Sequence, residues 1–243
     1  MKLLIASLLL PAAALAQTAD KPTEKKALDA PVVQQVVSEM SGTNINSTTR
    51  TFNLTEITTK GTPMALTTWT AGSVRFYSGK AIASALINID VINQDVWVKR
   101  SARDSALFAV ALVKEVLLTS ETSEQPIRYE HIAGITTDDA ALKTGLVRVA
   151  FQGPYSLVQL PVKRFFKAPA NQAYGAGQSY DEYRNESAYY IIRPDKTAER
   201  VKLNRKSLAG ALQGKSAAFE TVLKDRKLDA KIEADVVAAL GAL

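Results

Sequence analysis

From Arg50 to Leu203 the chain has the composition and spacing of short β-strands, and this pattern restricts the fold more than any other feature. Val, Ile, Thr, Phe and Tyr are frequent there, and apolar residues do not recur with the period of a helix. Turn signals interrupt the pattern, notably Gly153-Pro154 and Pro194-Asp195-Lys196-Thr197. Because short links between neighbouring strands favour antiparallel pairing, residues 50–203 are predicted to form an antiparallel β domain.

Individual elements of this domain can be placed from the same pattern. The apolar run at 85–92 ends at Asn93-Gln94 and resumes at 96–98, which predicts a hairpin. The stretch 107–118 is apolar almost throughout and fits either strands or a helix, because periodicity cannot separate the two. Residues 168–186 are predicted to form a loop.

After residue 203 the apolar period changes to that of helices. Asn204 is placed to cap a first helix, Phe219 and Leu223 share one face of a second, and Asp229 is placed to cap a third. Residues 204–243 are therefore predicted to be helices that pack on the β domain. Strands followed by segregated helices give the α+β class.

The first sixteen residues have the three parts of a secretory signal peptide. Lys2 precedes an apolar run, and Ala14-Leu15-Ala16 is a small-x-small cleavage site. The run is shorter than the roughly 20 residues that a membrane-spanning helix needs. Because position 17 is Gln rather than Cys, we expect a cleaved chain that carries no lipid anchor. This chain is expected in the periplasm or outside the cell.

Residues 17–49 are predicted to be a polar leader followed by a short amphipathic helix. Pro31 suits the first helical turn, the apolar residues from Val32 to Met40 form a stripe, and Gly42 suits the helix end.

The chain has no cysteine and one histidine. These counts exclude a disulfide scaffold, a thiolate metal site, a cysteine nucleophile and a site with several histidines. Nucleophile elbows, phosphate loops, zinc-protease helices and calcium loops are also missing from the sequence. The sequence therefore predicts no catalytic residue, no metal and no cofactor.

Two other groups of residues could carry catalytic chemistry. His131 could act as a base, but its neighbour Glu130 would point to the opposite face of a strand and could not orient it. The pair Asp138-Asp139 is better interpreted as the cap of a short helix. Because two carboxylates distant in sequence suffice for glycoside hydrolysis, a hydrolase of an envelope or extracellular polymer stays the alternative function.

The excess positive charge of the chain beyond residue 16 falls in one segment. Residues 160–206 contain ten basic and five acidic residues, whereas 17–159 and 207–243 are each balanced. Seven of the seventeen aromatic residues lie in the same segment. Basic residues interleaved with rings can bind anionic polymers by charge and stacking. The candidate surface-binding residues are Lys163, Arg164, Lys167, Tyr180, Tyr183 and Arg184.

Strand geometry restricts this candidate surface. Lys163 and Phe165 have one parity and Arg164 and Phe166 the other, so a regular strand presents only one set to a ligand. The candidate partner is an anionic envelope polymer or a lipid surface, and secretion argues against nucleic acid. The alternative interpretation is a solvated strand face whose rings belong to the core.

Several short motifs run along the last three quarters of the chain. They are Gly61-Thr62-Pro63, Trp69 with Gly72-Ser73-Val74, Gly79-Lys80, Tyr189-Tyr190-Ile191-Ile192, Val201-Lys202-Leu203 and Lys206-Ser207-Leu208. In these motifs the chain resembles uncharacterised secreted proteins of Gram-negative Bacteroidota, a family without an assigned activity. The resemblance implies an envelope location and a β domain with a helical C-terminus, and it implies no functional residue. A non-enzymatic binding or structural module is therefore the expected function.

Overall fold

The computed structural model describes residues 59–119, 125–167 and 180–243, together with Gln35. This part is 41% strand and 22% helix, with a large antiparallel sheet and helices mostly at the C-terminus. The predicted α+β class is thereby confirmed. The predicted signal peptide and leader lie outside the described residues. So does the predicted N-terminal helix, apart from Gln35, which is helical and exposed.

The described residues form thirteen strands in two sheets. The strands are β1 (Thr59–Lys60), β2 (Thr70–Phe76), β3 (Ala81–Asp90), β4 (Asp95–Lys99), β5 (Ser105–Ala109), β6 (Val113–Leu118), β7 (Ile127–Glu130), β8 (Val147–Phe151), β9 (Ser156–Leu160), β10 (Lys163–Phe166), β11 (Asp181–Asn185), β12 (Ala188–Ile192) and β13 (Ala198–Val201). Ten of them form an antiparallel sheet in the order β13-β12-β9-β8-β7-β6-β2-β3-β4-β5. The smaller sheet has the order β1-β11-β10, and β1 runs parallel to β11.

Four α-helices accompany the sheets in the described ranges. They are α1 (Ala140–Thr144), α2 (Arg205–Ala211), α3 (Ser216–Asp225) and α4 (Glu233–Leu240). None of the helices in this part of the chain has the length and the apolar run that crossing a bilayer demands.

The β3-β4 hairpin and the ambiguous stretch at 107–118 are both resolved. β3 and β4 pair as predicted, and the left-handed turn residue is Gln94, with φ 57°. The stretch 107–118 is neither one strand nor one helix, because a single 3-10 turn at Val110–Leu112 separates β5 from β6. β5 pairs with β4, whereas β6 pairs with β2 and β7, so this turn moves the chain across the sheet.

Two apolar clusters lie on the strands outside the helical tail. The first joins β2 to β6 through fully buried side chains such as Phe76, Ile82 and Phe108. The second places Leu142 of α1 against residues such as Tyr190 of β12.

The helical tail packs on the end of the large sheet. Phe219 and Leu223 of α3 and Val236 of α4 are buried with Leu157 of β9 and Ile191 of β12. Isolated helices of this length are marginal in water, so this burial stabilises the tail.

One of the two predicted tail caps is present. The Asn204 side chain accepts a hydrogen bond from the Ser207 N–H at 2.9 Å, which caps α2 as predicted. The predicted Asp229 cap is wrong, because α4 begins only at Glu233. Asp229 instead accepts from the Lys231 N–H at 2.9 Å in the preceding turn, and the intervening Ile232 is 52% exposed.

Two strands of the large sheet continue into the small one. β9 and β12 pair up to Leu160 and Ala188, and β10 and β11 resume pairing at Lys163 and Asn185. Between the two ladders the Glu186 N–H donates to the Val162 carbonyl at 2.8 Å. The small sheet is thus the outer part of one long ribbon. We call β1, β10, β11 and the adjoining Lys167 and Tyr180 the arm.

Candidate functional site

The strands of the arm bury none of their residues. Every residue in β1, β10 and β11 is intermediate or exposed, and Phe165 is 44% exposed. Ordering a residue costs conformational entropy that burial of apolar surface normally offsets. The arm must therefore be held by backbone pairing and by hydrogen bonds, ion pairs and ring contacts.

A short segment, Gly61-Thr62-Pro63, connects the arm to the large sheet, and we call it the strap. Gly61 has φ +80°, and a Cβ there would lie 2.9 Å from the Tyr183 carbonyl oxygen, so only glycine suits this crossing. The next residue, Thr62, accepts a hydrogen bond from Lys163 Nζ at 3.0 Å through its carbonyl. Pro63 in turn accepts from the Val91 N–H at 3.2 Å. The strap thereby holds β10 and β11 near the end of β3.

The strand register sorts the side chains of the arm onto two faces. Residues paired across a ladder point to the same side of a sheet. The first face carries Lys60, Arg164, Phe166, Glu182 and Arg184, and the second carries Lys163, Phe165, Asp181, Tyr183 and Asn185. The predicted division by parity is thereby confirmed.

Cations on the first face lie over aromatic rings. Lys60 Nζ is 3.7 Å from the ring centroid of Tyr180, and the Arg184 guanidinium carbon is 4.4 Å from that of Phe166. Arg184 Nε also donates to Glu182 at 2.8 Å. Such cation–π contacts contribute about 0.5–1 kcal/mol at exposed sites. One ring face of Tyr180 is therefore covered by Lys60, which reduces the stacking surface expected from the sequence.

Arg164 is the most exposed cation of the arm's ion pairs. Its Nε lies 3.4 Å from the Glu186 carboxylate, and its side chain is 66% exposed. Exposed pairs of this kind contribute roughly 0–1 kcal/mol, so an external anion can replace Glu186 at little cost.

The second face has a different character. Phe165 and Tyr183 pack ring to ring with centroids 4.9 Å apart. Lys163 is held by the strap, and burial lowers the pKa of its amino group. Lys167 follows β10 directly and is exposed.

Of the six residues predicted from the sequence, Lys163, Arg164, Tyr183 and Arg184 lie in strands of the arm, whereas Lys167 and Tyr180 adjoin those strands. Tyr183 and Arg184 lie in β11, so the predicted loop at 168–186 is wrong at 181–185. Lys60 belongs to the first face and was missed, because no local pattern indicates pairing between segments so distant in sequence. The remaining cations of 160–206 lie outside the arm, in the turn between β12 and β13, on β13 and directly after it, and on α2. They are Arg193, Lys196, Arg200, Lys202, Arg205 and Lys206.

His131 links three segments and uses both ring nitrogens. Its Nε2 lies 2.8 Å from the Lys143 carbonyl oxygen, and its Nδ1 lies 2.6 Å from the Tyr77 hydroxyl. A carbonyl can only accept, so Nε2 carries a proton, and in the neutral ring Nδ1 accepts from Tyr77. The ring therefore has a structural role in this arrangement.

Asp139 caps α1, as the sequence predicts. Its Oδ1 accepts from the N–H groups of Ala141 at 2.9 Å and Leu142 at 3.3 Å, and Oδ2 accepts from the Tyr190 hydroxyl. The hydrogen bond from Tyr190 and those from the backbone hold the pKa of Asp139 below its usual value. Burial and the same carboxylate raise the pKa of Tyr190 to about 12.

Arg148, Tyr189 and Glu233 join α4 to the large sheet. Arg148 Nη1 donates to Glu233 at 2.9 Å, Arg148 Nε donates to Gln159 at 2.8 Å, and the Tyr189 hydroxyl donates to Glu233 at 2.6 Å. Burial alone would raise the pKa of Glu233, but the hydrogen bonds and charge of its partners outweigh it and lower that pKa. Burial and Glu233 raise the pKa of Tyr189 to about 12.

The lowered pKa of Glu233 predicts a pH-dependent stability. A carboxyl whose pKa is lower in the folded state stabilises the fold above its unfolded pKa of about 4.3, and this stabilisation is lost as pH falls through the folded value. Glu233→Gln should lower the free energy of unfolding by about 1–3 kcal/mol at neutral pH. The difference should shrink at about pH 3.

Urea unfolding at the two pH values measures this difference. The matched control is Glu220→Gln, which replaces an exposed carboxylate on α3 and should change stability by less than about 0.5 kcal/mol. A Glu233→Gln deficit that is the same at both pH values would contradict the role of its charge.

Within the described residues, no group of three or more His, Asp or Glu side chains is arranged to hold a metal ion. Comparison with known protein families, curated proteins and solved structures found no match. The function of the chain is therefore inferred from its own geometry.

Proposed function

We propose that this chain is a non-enzymatic binding module of the cell envelope, and that the arm attaches it to an anionic polymer or lipid surface. The observation that carries the proposal is an ordered sheet without a fully buried residue, which together with the adjoining Lys167 bears five cations. They are Lys60, Lys163, Arg164, Lys167 and Arg184.

The lack of burial supports a binding role for the arm. A sheet that contributes nothing to an apolar core gains little stability from its side chains, and Phe165 leaves much of its ring in water. Packing in a core therefore does not determine which side chains the arm carries, and binding can determine them instead. The interpretation of this segment as a core strand with a solvated face does not fit a sheet whose two faces are both accessible.

The ion pairs of the first face are compatible with exchange. Glu182 and Glu186 accept from Arg184 and Arg164 at the surface, where such pairs are weak. An incoming polyanion supplies several negative groups at once and can replace both carboxylates. Exposed rings such as Phe165 can add contacts with sugar or acyl groups.

The N-terminal segment supports the envelope location. Lys2, the apolar run and Ala14-Leu15-Ala16 are typical of an exported chain. Sequencing the N-terminus of the exported protein should find Gln17, and an intact Met1 on a cytoplasmic protein would contradict this part of the proposal.

Binding is favoured over the alternative of hydrolysis by the state of the carboxylates. Asp138, Asp139 and Glu199 line a pocket of about 440 Å³. A glycoside hydrolase needs a carboxyl with a raised pKa as its general acid. The pKa of Asp139 is lowered instead, and Glu199 is paired with Arg193. This pocket therefore gives the hydrolase alternative no support.

Neutralising the arm tests the proposal. The arm variant replaces Lys163, Arg164, Lys167 and Arg184 with Gln, and its binding to phosphatidylglycerol vesicles and to a carboxylated polysaccharide is compared with that of the parent. We expect the affinity for one of these probes to fall by at least about tenfold, because each exposed pair contributes up to about 1 kcal/mol.

The matched control replaces four exposed cations of the helical tail, Lys215, Lys224, Arg226 and Lys231, with Gln. It removes the same charge from the molecule and should retain binding. Equal loss in both variants would mean that net charge, not the arm, drives association. Unchanged binding by a folded arm variant would leave the arm without this role.

A further inference from the structure

A second concave surface lies where β12 and β13 reach α2. It is an open groove of about 860 Å³, and its walls include Tyr189, Arg200, Lys202 and Ser207. The groove lies on different strands from the arm and contains none of the six residues that the sequence singled out.

The charge beside this groove is less compensated than the charge of the arm. Four cations lie between positions 200 and 206, and the next acidic residue along the chain is Glu220. Lys202, Arg205 and Lys206 are exposed, and none of the three is in an ion pair with another described residue.

Carboxylates near the groove are engaged elsewhere. No Asp or Glu lines it. Glu233, which accepts from Tyr189, is bound by Arg148. The charge of Arg200 contributes to the lowered pKa of Asp139, which lines the neighbouring pocket. The Asp139 carboxylate is nevertheless bound by the Tyr190 hydroxyl and the α1 backbone. The groove is therefore complementary to an anionic ligand.

The shape of the groove selects among anionic ligands. A flat bilayer surface cannot enter a concave groove and contact the residues that line it, whereas a single polymer chain can. Ser207 Oγ accepts from the Lys202 N–H at 3.0 Å, which leaves its own proton to donate to a ligand oxygen.

The ring chemistry argues against single-stranded nucleic acid. Binding of such strands depends on aromatic rings on which bases stack. Tyr189 is the aromatic residue of the groove wall, and it packs against the apolar cluster of the helical tail while its hydroxyl is held by Glu233. It is therefore poorly placed to stack on a base.

We propose that this groove is a second binding site, which holds one chain of an anionic polysaccharide through Arg200, Lys202 and Ser207. The site is independent of the arm, so either proposal can fail without the other. The groove adjoins the arm, because its wall includes Ser187 and the first residues of β12, but the two surfaces share no residue.

Binding of fluorescent oligogalacturonate, a carboxylated polysaccharide, tests the site on the full exported chain. The groove variant is Arg200→Gln with Lys202→Gln, and the matched control is Lys224→Gln with Lys231→Gln. We expect about tenfold weaker binding by the groove variant and no change in the control, since each exposed pair is worth up to about fivefold in affinity. Lys202→Glu, at an exposed residue, should weaken binding without affecting the fold.

Three results would overturn the proposal. They are no binding of oligogalacturonate at low salt, unchanged affinity in a folded groove variant, and a loss of binding in that variant that is larger for single-stranded oligodeoxythymidine or anionic vesicles than for oligogalacturonate. The arm variant is measured in parallel. Loss of binding in the arm variant alone would exclude the groove while supporting the arm, and loss in the groove variant alone would do the reverse.

Discussion

Phe219→Ala should lower the free energy of unfolding by about 3–5 kcal/mol, the usual cost of removing a fully buried ring. The Phe219 side chain has no exposed surface and lies in the cluster that joins α3 to β9 and β12. Truncation leaves a cavity among Leu157, Ile191 and Leu223, and rigid strands on one side restrict its collapse. Urea unfolding followed by circular dichroism measures the effect.

Phe165→Ala is the matched control for this prediction. The substitution is chemically identical, but the ring is 44% exposed and lies on the arm. Its cost should stay below about 1 kcal/mol. An unchanged unfolding midpoint for Phe219→Ala would mean that the helical tail does not pack on the sheet. A large loss for Phe165→Ala would mean that the arm is part of the stabilising core.

Gly72→Ala should destabilise the fold by about 3 kcal/mol, or prevent folding, because β2 leaves no room for a side chain there. A Cβ at Gly72 would lie 2.3 Å from the Leu117 carbonyl oxygen and 2.9 Å from Leu118 Cδ2. Gly72 pairs with Ala85 on one side and Leu118 on the other, so relief requires movement of the β6 backbone. Thermal unfolding of the purified variant measures the loss.

Gly210→Ala makes the same substitution at another glycine, and we expect it to raise stability slightly instead of lowering it. Nothing lies within 4 Å of a Cβ at this position, and Gly210 is an exposed residue of α2. Alanine favours a helix over glycine by about 1 kcal/mol, so this variant should be slightly more stable than the parent. Similar effects at the two glycines would contradict the close packing of β2 against β6.

The sequence predicts those elements whose cause is local. The β3-β4 hairpin follows from an apolar run, a turn and a second run, and the Asn204 cap follows from a polar side chain before a helical stripe. The buried face of α3 also follows from spacing, because Phe219 and Leu223 are four residues apart. These features need no knowledge of distant parts of the chain.

Elements that depend on pairing between remote segments, or that lack a clear apolar pattern, could not be predicted from the sequence. β11 reads Asp-Glu-Tyr-Arg-Asn and buries none of these residues, so it has no apolar alternation to detect. The pairing of β1 with β11 is between segments far apart in the chain, and nothing local indicates it. The Asp229 cap failed because the chain makes a separate turn before α4, with the Ile232 N–H donating to the Asp229 carbonyl at 3.0 Å.

The sequence places the six candidate residues near one another, but it does not show how their strands pair. Parity correctly separates Lys163 from Arg164, because the arm is a regular ladder. The net charge of residues 160–206 overstates the unpaired positive charge of the arm, because Glu182 and Glu186 pair with cations of the first face. In the fold, Lys202 lies in the groove wall and not on the arm, and a count of charges along the sequence cannot show this separation.

The salt dependence of binding tests the central claim, that the arm attaches this chain to an anionic polymer or surface, most directly. Raising the salt from about 0.1 M to about 1 M shortens the screening length from about 10 Å to about 3 Å. Affinity for phosphatidylglycerol vesicles or the carboxylated polysaccharide should fall steeply over this range for the parent and the helical-tail control. The arm variant should start weaker and show a shallower slope. Parallel slopes for the parent and the arm variant, or parent binding that does not change with salt, would contradict the account.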